Sequence, residues 1–336
     1  MKKLLAILTV AALFTSAFVV TDQPITNTVD VSITEWEVPW EESRPRDPYV
    51  APDGHIWFVG QRTHYVAEFN PETEEFQKFD LDDGAGPHTV IVDDEGTPWY
   101  AGNRANHIGT VNPKTGDITK HMMPDDNSAR DPHTMAFNSE GDIWFTSQGA
   151  NSVGKLDVET GEPQILDVPT DHARPYGLIM DQNMERPWIA LFGTHKLATV
   201  DPETMELKEI DLPNQESRPR RLAQTSDGMI WYGDYSRGYI GRYNPEDGSF
   251  DEWPMPSGEQ SRPYAVTVDD EDRVWLVETG VQPNMFVGFD TDAKEFVSST
   301  AIESGGGTVR HMVYHQLTQS IWFGTDTNYL GRARIQ

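Results

Sequence analysis

Residues 217–256 read SRPRRLAQTSDGMIWYGDYSRGYIGRYNPEDGSFDEWPMP, and residues 261–299 read SRPYAVTVDDEDRVWLVETGVQPNMFVGFDTDAKEFVSS. The two share an Arg-Pro opening, an acidic turn, a tryptophan, a glycine-containing third segment and a final short run. Working outward from Trp231 and Trp275, the phrase returns around Trp57, Trp99, Trp144, Trp188 and Trp322, the seven tryptophans lying 42, 45, 44, 43, 44 and 47 residues apart. A period of roughly 40 to 50 residues marks a repeat array.

Each unit holds four runs of strand character. In the sixth they are Tyr264–Val268, Val274–Val277, Met285–Phe289 and Lys294–Val297, separated by Asp, Gly, Asn and Pro turn chemistry. Four strands per unit make a propeller blade. The seventh unit stops at Tyr329–Ile335 with no room for a fourth strand, while Val31–Pro39 matches the outer strands of other units, such as Phe250–Pro256. The expected fold is therefore an all-β, seven-bladed β-propeller with four-stranded blades, a single domain over residues 31–336. Its ring is closed by the N-terminal strand completing blade seven, which removes the open edges a row of blades would expose. The periodic tryptophans read as blade core.

The chain opens MKKLLAILTVAALFTSAFVV, two lysines before an apolar run, with small residues at Thr15-Ser16-Ala17. This is the pattern of an export signal over residues 1–21, and it implies a periplasmic or secreted protein without integral membrane association. There are no cysteines, so disulfides and thiolate metal sites are excluded. The formal charge of −28 repels nucleic acid and anionic lipid surfaces, and the acidity, spread through turns, reads as a solvated surface. A monomer is expected.

In a propeller the first strand of each blade lines the central channel. Taking the residue after the repeat proline, or its counterpart, gives Arg46, His88, His133, Tyr176, Arg220, Tyr264 and Arg310. The framework repeats while this position varies, as an asymmetric ligand would require, so the set is read as a binding ring in the funnel. Arg221 and His311, one step further, extend a basic pocket with Arg220 and Arg310 suited to a carboxylate or phosphate. The residues before the proline, Arg44, Gly86, Asp131, Arg174, Arg218, Arg262 and Thr308, are mostly arginine and read as blade braces. Three residues past the tryptophan only blades five and six carry acids, Asp234 and Glu278, expected to pair with Arg220 and Arg262.

The phrase R-P-Y-G/A, D-x-x-G-x-x-W-F, I-G, D-P-x-T-G, repeated seven times, resembles the streptogramin (virginiamycin B) lyase family. The resemblance covers essentially the whole chain after the export signal. It implies a carbon–oxygen lyase that opens an ester by elimination, with a histidine base assisted by Mg2+ and acidic groups at the funnel. The family's signature is Glu-Pro-His opening blade six, a glutamate fourteen residues on, and a histidine on blade five. This chain has Arg262-Pro263-Tyr264 and Arg218-Pro219-Arg220 there, and keeps only Glu278, fourteen residues after Tyr264. A rotated site on Gly86-Pro87-His88 and Asp131-Pro132-His133 offers His133 or His88 as base with Asp131 assisting, though Ser147 stands where a glutamate would be.

Two functions follow as expectations. One is an exported lyase-like enzyme acting on an anionic, ester or lactone substrate in the funnel, with Mg2+ implied by resemblance alone. The other is a non-catalytic propeller that captures an anionic small molecule or a peptide, or serves as an interaction scaffold. The remaining histidines, including His107, are expected at the surface.

Overall fold

A computed structural model describes residues 24–336, so the export signal read over residues 1–21 lies outside the described residues. The described chain forms seven four-stranded antiparallel sheets, in six of which each strand pairs with its neighbour in sequence. Blade five is representative, with strands Pro219–Gln224, Ile230–Asp234, Tyr239–Tyr243 and Phe250–Pro254 from the axis outward. Blade seven comprises Met312–His315, Ser320–Gly324 and Tyr329–Ile335, with Val31–Glu37 on its outer edge. The closing strand pairs from Val31 opposite Ile335 to Glu37 opposite Tyr329, as the sequence led one to expect. Asn328 fastens the seam: its amide donates to the carbonyls of Val38 at 2.9 Å and Trp40 at 3.0 Å and accepts from the Ser43 hydroxyl at 2.8 Å.

The second strand of each blade is apolar and buried along its whole length, for example Ile56–Gly60 and Ile143–Ser147. Neighbouring blades cover both of its faces, so it reads as a continuous apolar run instead of an alternating one. All seven periodic tryptophans are buried here. The recurring glycine of the third strand has a steric cause. A Cβ at Gly154 or Gly241 would overlap the ring of Phe145 or Tyr232, which lies flat across it from the second strand. Outer strands such as Glu75–Asp80 are mostly exposed and carry the charge.

One irregularity positions the functional side chains. In blades one, three, four, five and six the first strand slips register by one residue just after the repeat proline, between Arg46 and Tyr49, Pro132 and Met135, Pro175 and Leu178, Pro219 and Leu222, and Pro263 and Val266. Such a bulge breaks the strict alternation of side chains along a strand and re-aims them. Two consecutive residues per blade, such as Arg46-Asp47 and Arg220-Arg221, are thereby turned toward the axis.

Candidate functional site

The ring residues touch one another across the channel. The rings of His88 and His133 meet with centroids 3.4 Å apart, tilted 37° to one another, and His133 lies 4.1 Å from the ring of Tyr176. The Tyr176 hydroxyl is hydrogen-bonded to that of Tyr264, two blades away. Arg221 spans the axis, its Nη2 donating to Asp47 Oδ2 at 2.7 Å, its Nη1 to Thr134 Oγ1 at 3.1 Å and its Nε to the Arg310 carbonyl at 3.2 Å. These contacts run through all seven blades and fill the lower funnel with a polar network.

Asp47 is the carboxylate at its centre, 1 % exposed and accepting also from Thr89 Oγ1 at 3.0 Å. Burial alone would raise its pKa; Arg221 and Arg46 outweigh that and hold it below the ordinary carboxylate range. Arg46, whose Nη1 donates to Gln61 Oε1 at 3.0 Å, stays charged because Asp47 and Tyr176 more than offset its burial. Burial, then the charged groups nearby, push both histidines of this pair well below their ordinary value, so they are neutral. Their Nδ1 atoms meet the hydroxyls of Thr89 at 3.2 Å and Thr134 at 3.0 Å. The same causes bring His311 down to about 4. Two guanidinium groups thus share one carboxylate, and the buried ring is net positive inside an acidic protein.

The tyrosine pair is split. Burial pushes Tyr264 above its ordinary value. Tyr176 is equally buried, yet Arg46, Arg220 and Arg221 overcome the desolvation and draw it below its ordinary value. At the mouth sits Arg220, half-buried, its guanidinium carbon 3.9 Å from the ring centre of Tyr264, 4.2 Å from Phe192, 4.4 Å from Tyr235 and 5.1 Å from Tyr176. A guanidinium over aromatic faces keeps its N–H edge available to a planar anion. Among the described residues, Arg220 Nε and Arg46 Nη2 have no hydrogen-bond partner.

Of the residues singled out from sequence, Arg46, His88, His133, Tyr176, Arg220, Arg221, Tyr264, Arg310 and His311 come together at the axis. Arg310 is tied back to Asp326, its Nη2 donating at 2.7 Å, and is braced more than free. Asp131 and Glu278 do not join the ring. Asp131 accepts the Gly149 N–H at 2.8 Å within its own blade, with burial pushing its carboxyl up to about 6, and makes no hydrogen bond or ion pair to His133 or His88. Glu278 is buried and accepts the backbone N–H of Ser257 at 2.9 Å and its hydroxyl at 2.5 Å. The expected pairing of Asp234 and Glu278 with Arg220 and Arg262 is also not formed, since Asp234 binds Arg237 at 3.2 Å instead. His107, expected at the surface, is buried against the Tyr100 hydroxyl at 3.0 Å. We expect Glu278→Gln to lower stability by about 1–2 kcal/mol through loss of its charged acceptors, with turnover unchanged within about threefold. Paired melts and rate measurements check this, and a turnover loss of a hundredfold would return Glu278 to the site.

Sequence reasoning missed Asp47, Thr89, Thr134, Phe192 and Tyr235. The signal for the first three was a polar column one step past the ring, where an unbulged strand would face the blade core.

The ring does not suit Mg2+, which takes carboxylate and other hard oxygen ligands. Its one carboxylate, Asp47, gives Oδ2 to Arg221 and Thr89 and turns Oδ1, which has no hydrogen-bond partner among the described residues, toward the Arg46 guanidinium at 3.5 Å, so the cations already beside it oppose a metal ion; Glu278 is held by Ser257. Among the described residues, one cluster of metal-ligating type, Asp53, His55 and Glu68 on blade one, lies apart from the ring.

A model of the virginiamycin B lyase family matches residues 31–333. Among solved structures, a streptogramin B lyase is 21% identical, with a TM-score of 0.82 over 93% of this chain and 100% of that one. The virginiamycin B lyase of Staphylococcus aureus is 19% identical, with a TM-score of 0.81 over 91% of this chain and 99% of that one. The hydrazine synthase of Kuenenia stuttgartiensis is 12% identical, with a TM-score of 0.72 over 88% of this chain and 96% of that one. No curated protein sequence matches the chain. At these identities the structural likenesses speak to fold alone.

Proposed function

The chain belongs to the virginiamycin B lyase family, and from that premise we propose that it is an exported carbon–oxygen lyase acting on a carboxylate-bearing substrate at the funnel mouth. The observation that carries the reading is the Tyr176–Tyr264 pair, two hydrogen-bonded phenols whose surroundings drive their ionisation in opposite directions. Titratable pairs pushed apart in this way supply a base and an acid at one pH.

In this scheme Arg220 holds the substrate carboxylate. The Tyr176 phenolate takes the proton from the carbon beside it. The electron pair of that C–H bond becomes the new C=C bond as the bond from the β-carbon to the leaving oxygen breaks. Tyr264 gives its phenolic proton to that oxygen. Charge that builds on the carboxylate during proton removal is met by Arg220 and Arg46, preorganised donors in a site largely closed to water. The neutral His88–His133 pair backs Tyr176 without adding positive charge that would hold back its proton acceptance. The base is thus moved from His133 or His88, as resemblance suggested, to Tyr176, and Asp131 has no part in it.

The test is turnover by the chain from residue 22 onward against a panel of carboxylated sugars, lactones and depsipeptides, with melts recorded alongside. The pH profile carries its own signature. The base form of Tyr176 accumulates as pH rises, so the rate climbs with an apparent pKa below the ordinary tyrosine value of about 10. It falls again only where Tyr264, raised above that value, loses its proton. A rate that instead climbs through the ordinary histidine region near 6.5 would reassign the base. The filled lower funnel favours one competitor, capture without chemistry. Stabilisation by an anion, lost in Arg220→Ala, with no product from any substrate, would make this a binding propeller.

A further inference from the structure

Arg174, Arg218 and Arg262 stand directly before the repeat proline of blades four, five and six, and Arg130 stands one residue further out in blade three, where Asp131 holds the matching place. Three are exposed and Arg218 is half-buried. Half of the basic side chains among the described residues sit on carboxylates, as Lys155 does on Asp142 at 2.8 Å, Lys196 on Glu209 at 2.8 Å and Arg273 on Asp269 at 2.7 Å. Among the described residues none of the four makes an ion pair. Arg130 reaches the Gly149 carbonyl and Arg218 those of Gln215 and Ser217. On a chain with 54 acidic and 26 basic residues, four unpaired arginines on successive blades concentrate positive charge against the overall balance.

Two of them are also kept at a backbone cost. Arg174 and Arg262 have φ of 53° and 47°, in the left-handed region, where the matching residue of blade two is Gly86 at 50°. Glycine takes that conformation freely, whereas a side chain there costs of order 1–2 kcal/mol. Blade braces, their expected role, would make bonds to offset this, yet neither side chain has a hydrogen-bond partner among the described residues. Arg262 adjoins the ring: Tyr235 lies 5.8 Å from the Arg262 guanidinium carbon and 4.4 Å from that of Arg220.

We infer that Arg130, Arg174, Arg218 and Arg262 form a cationic track that holds a polymer of carboxylated sugars and presents one unit to Arg220 and the tyrosine pair. The inference takes from the proposed lyase chemistry only the fate of that unit. Guanidinium forks match carboxylates two bonds at a time. A nucleic acid could use the same charges, but its phosphodiesters have no acidic C–H beside a carboxylate for the tyrosine pair to act on.

Affinity electrophoresis through gels containing polygalacturonate, neutral dextran or a single-stranded oligonucleotide tests this. The protein should be retarded by polygalacturonate alone, less so as salt rises toward the physiological range where charges are screened beyond about 8 Å. Arg174→Gly with Arg262→Gly should weaken binding at least about tenfold while raising the melting temperature, because glycine relieves both left-handed positions. Arg174→Lys with Arg262→Lys should restore much of the affinity. No retardation, equal retardation by the oligonucleotide, or a glycine variant that binds normally would each overturn the track. Tyr176→Phe separates the two proposals. Polymer bound by this variant and by the unaltered chain, with no product from either, keeps the track and sinks the lyase. A small carboxylate turned over by a chain that ignores the polymer does the reverse.

Discussion

Tyr176→Phe is expected to abolish turnover while leaving the fold and ligand binding in place. The substitution removes one oxygen from a side chain that is 4 % exposed, so packing against His133 and Phe192 persists. What is lost is the proton acceptor, and positioned general bases contribute about 10²–10⁴-fold. The expected result is a fall in kcat of about a thousandfold with KM changed little, read on whichever substrate the panel identifies. Tyr264→Phe should cost less when the leaving group is a good one, because an acid matters most where the departing oxygen needs its proton. A Tyr176→Phe enzyme within tenfold of the unaltered protein would end the tyrosine mechanism, and the His88–His133 pair would then be the groups to substitute.

The second large effect concerns Asp47. Asp47→Asn keeps the size of the side chain and tolerates the left-handed backbone, φ 43°, better than most residues would. It nevertheless leaves Arg221 and Arg46, 3 % and 5 % exposed, without their carboxylate. Removing one member of a buried pair costs about 3–5 kcal/mol, because the other charge stays desolvated. A fall in melting temperature of roughly 5–8 °C follows for a domain of this size. The pH dependence has a definite sign. The Asp47 pKa is depressed in the folded state, so its contribution is complete above the unfolded value of about 3.9 and is lost as pH falls below that toward the folded value. The gap in stability between the unaltered chain and Asp47→Asn should therefore be constant near neutrality and narrow below about pH 4. Replacing Arg221 by Met in the same chain should recover part of the loss, since the unpaired charge goes with it. A melt unchanged in Asp47→Asn would mean that the cross-axis network is not what holds the blades in register.

The sequence by itself determined the seven blades, the closing strand and the identity of most ring residues. Each of these depends on periodicity: tryptophans recur because every blade must bury the same second strand, and Val31–Glu37 could be assigned to blade seven because one unit lacked its fourth run. The tertiary structure alone decided which polar side chains meet. Glu278 sits at the position the family resemblance marks, yet it turns to Ser257, and Asp131 turns to Gly149; both are local backbone contacts that no spacing in a sequence encodes. Asp47 was hidden for a related reason. Strand alternation assigns it to the blade interior, and a one-residue register slip after the repeat proline carries it to the axis instead. Its partner Arg221 lies 174 residues away. The splitting of Tyr176 from Tyr264 is still further from the sequence, because it depends on burial, on the guanidinium groups around each phenol and on the contact between the two, all of which exist only once the ring has closed.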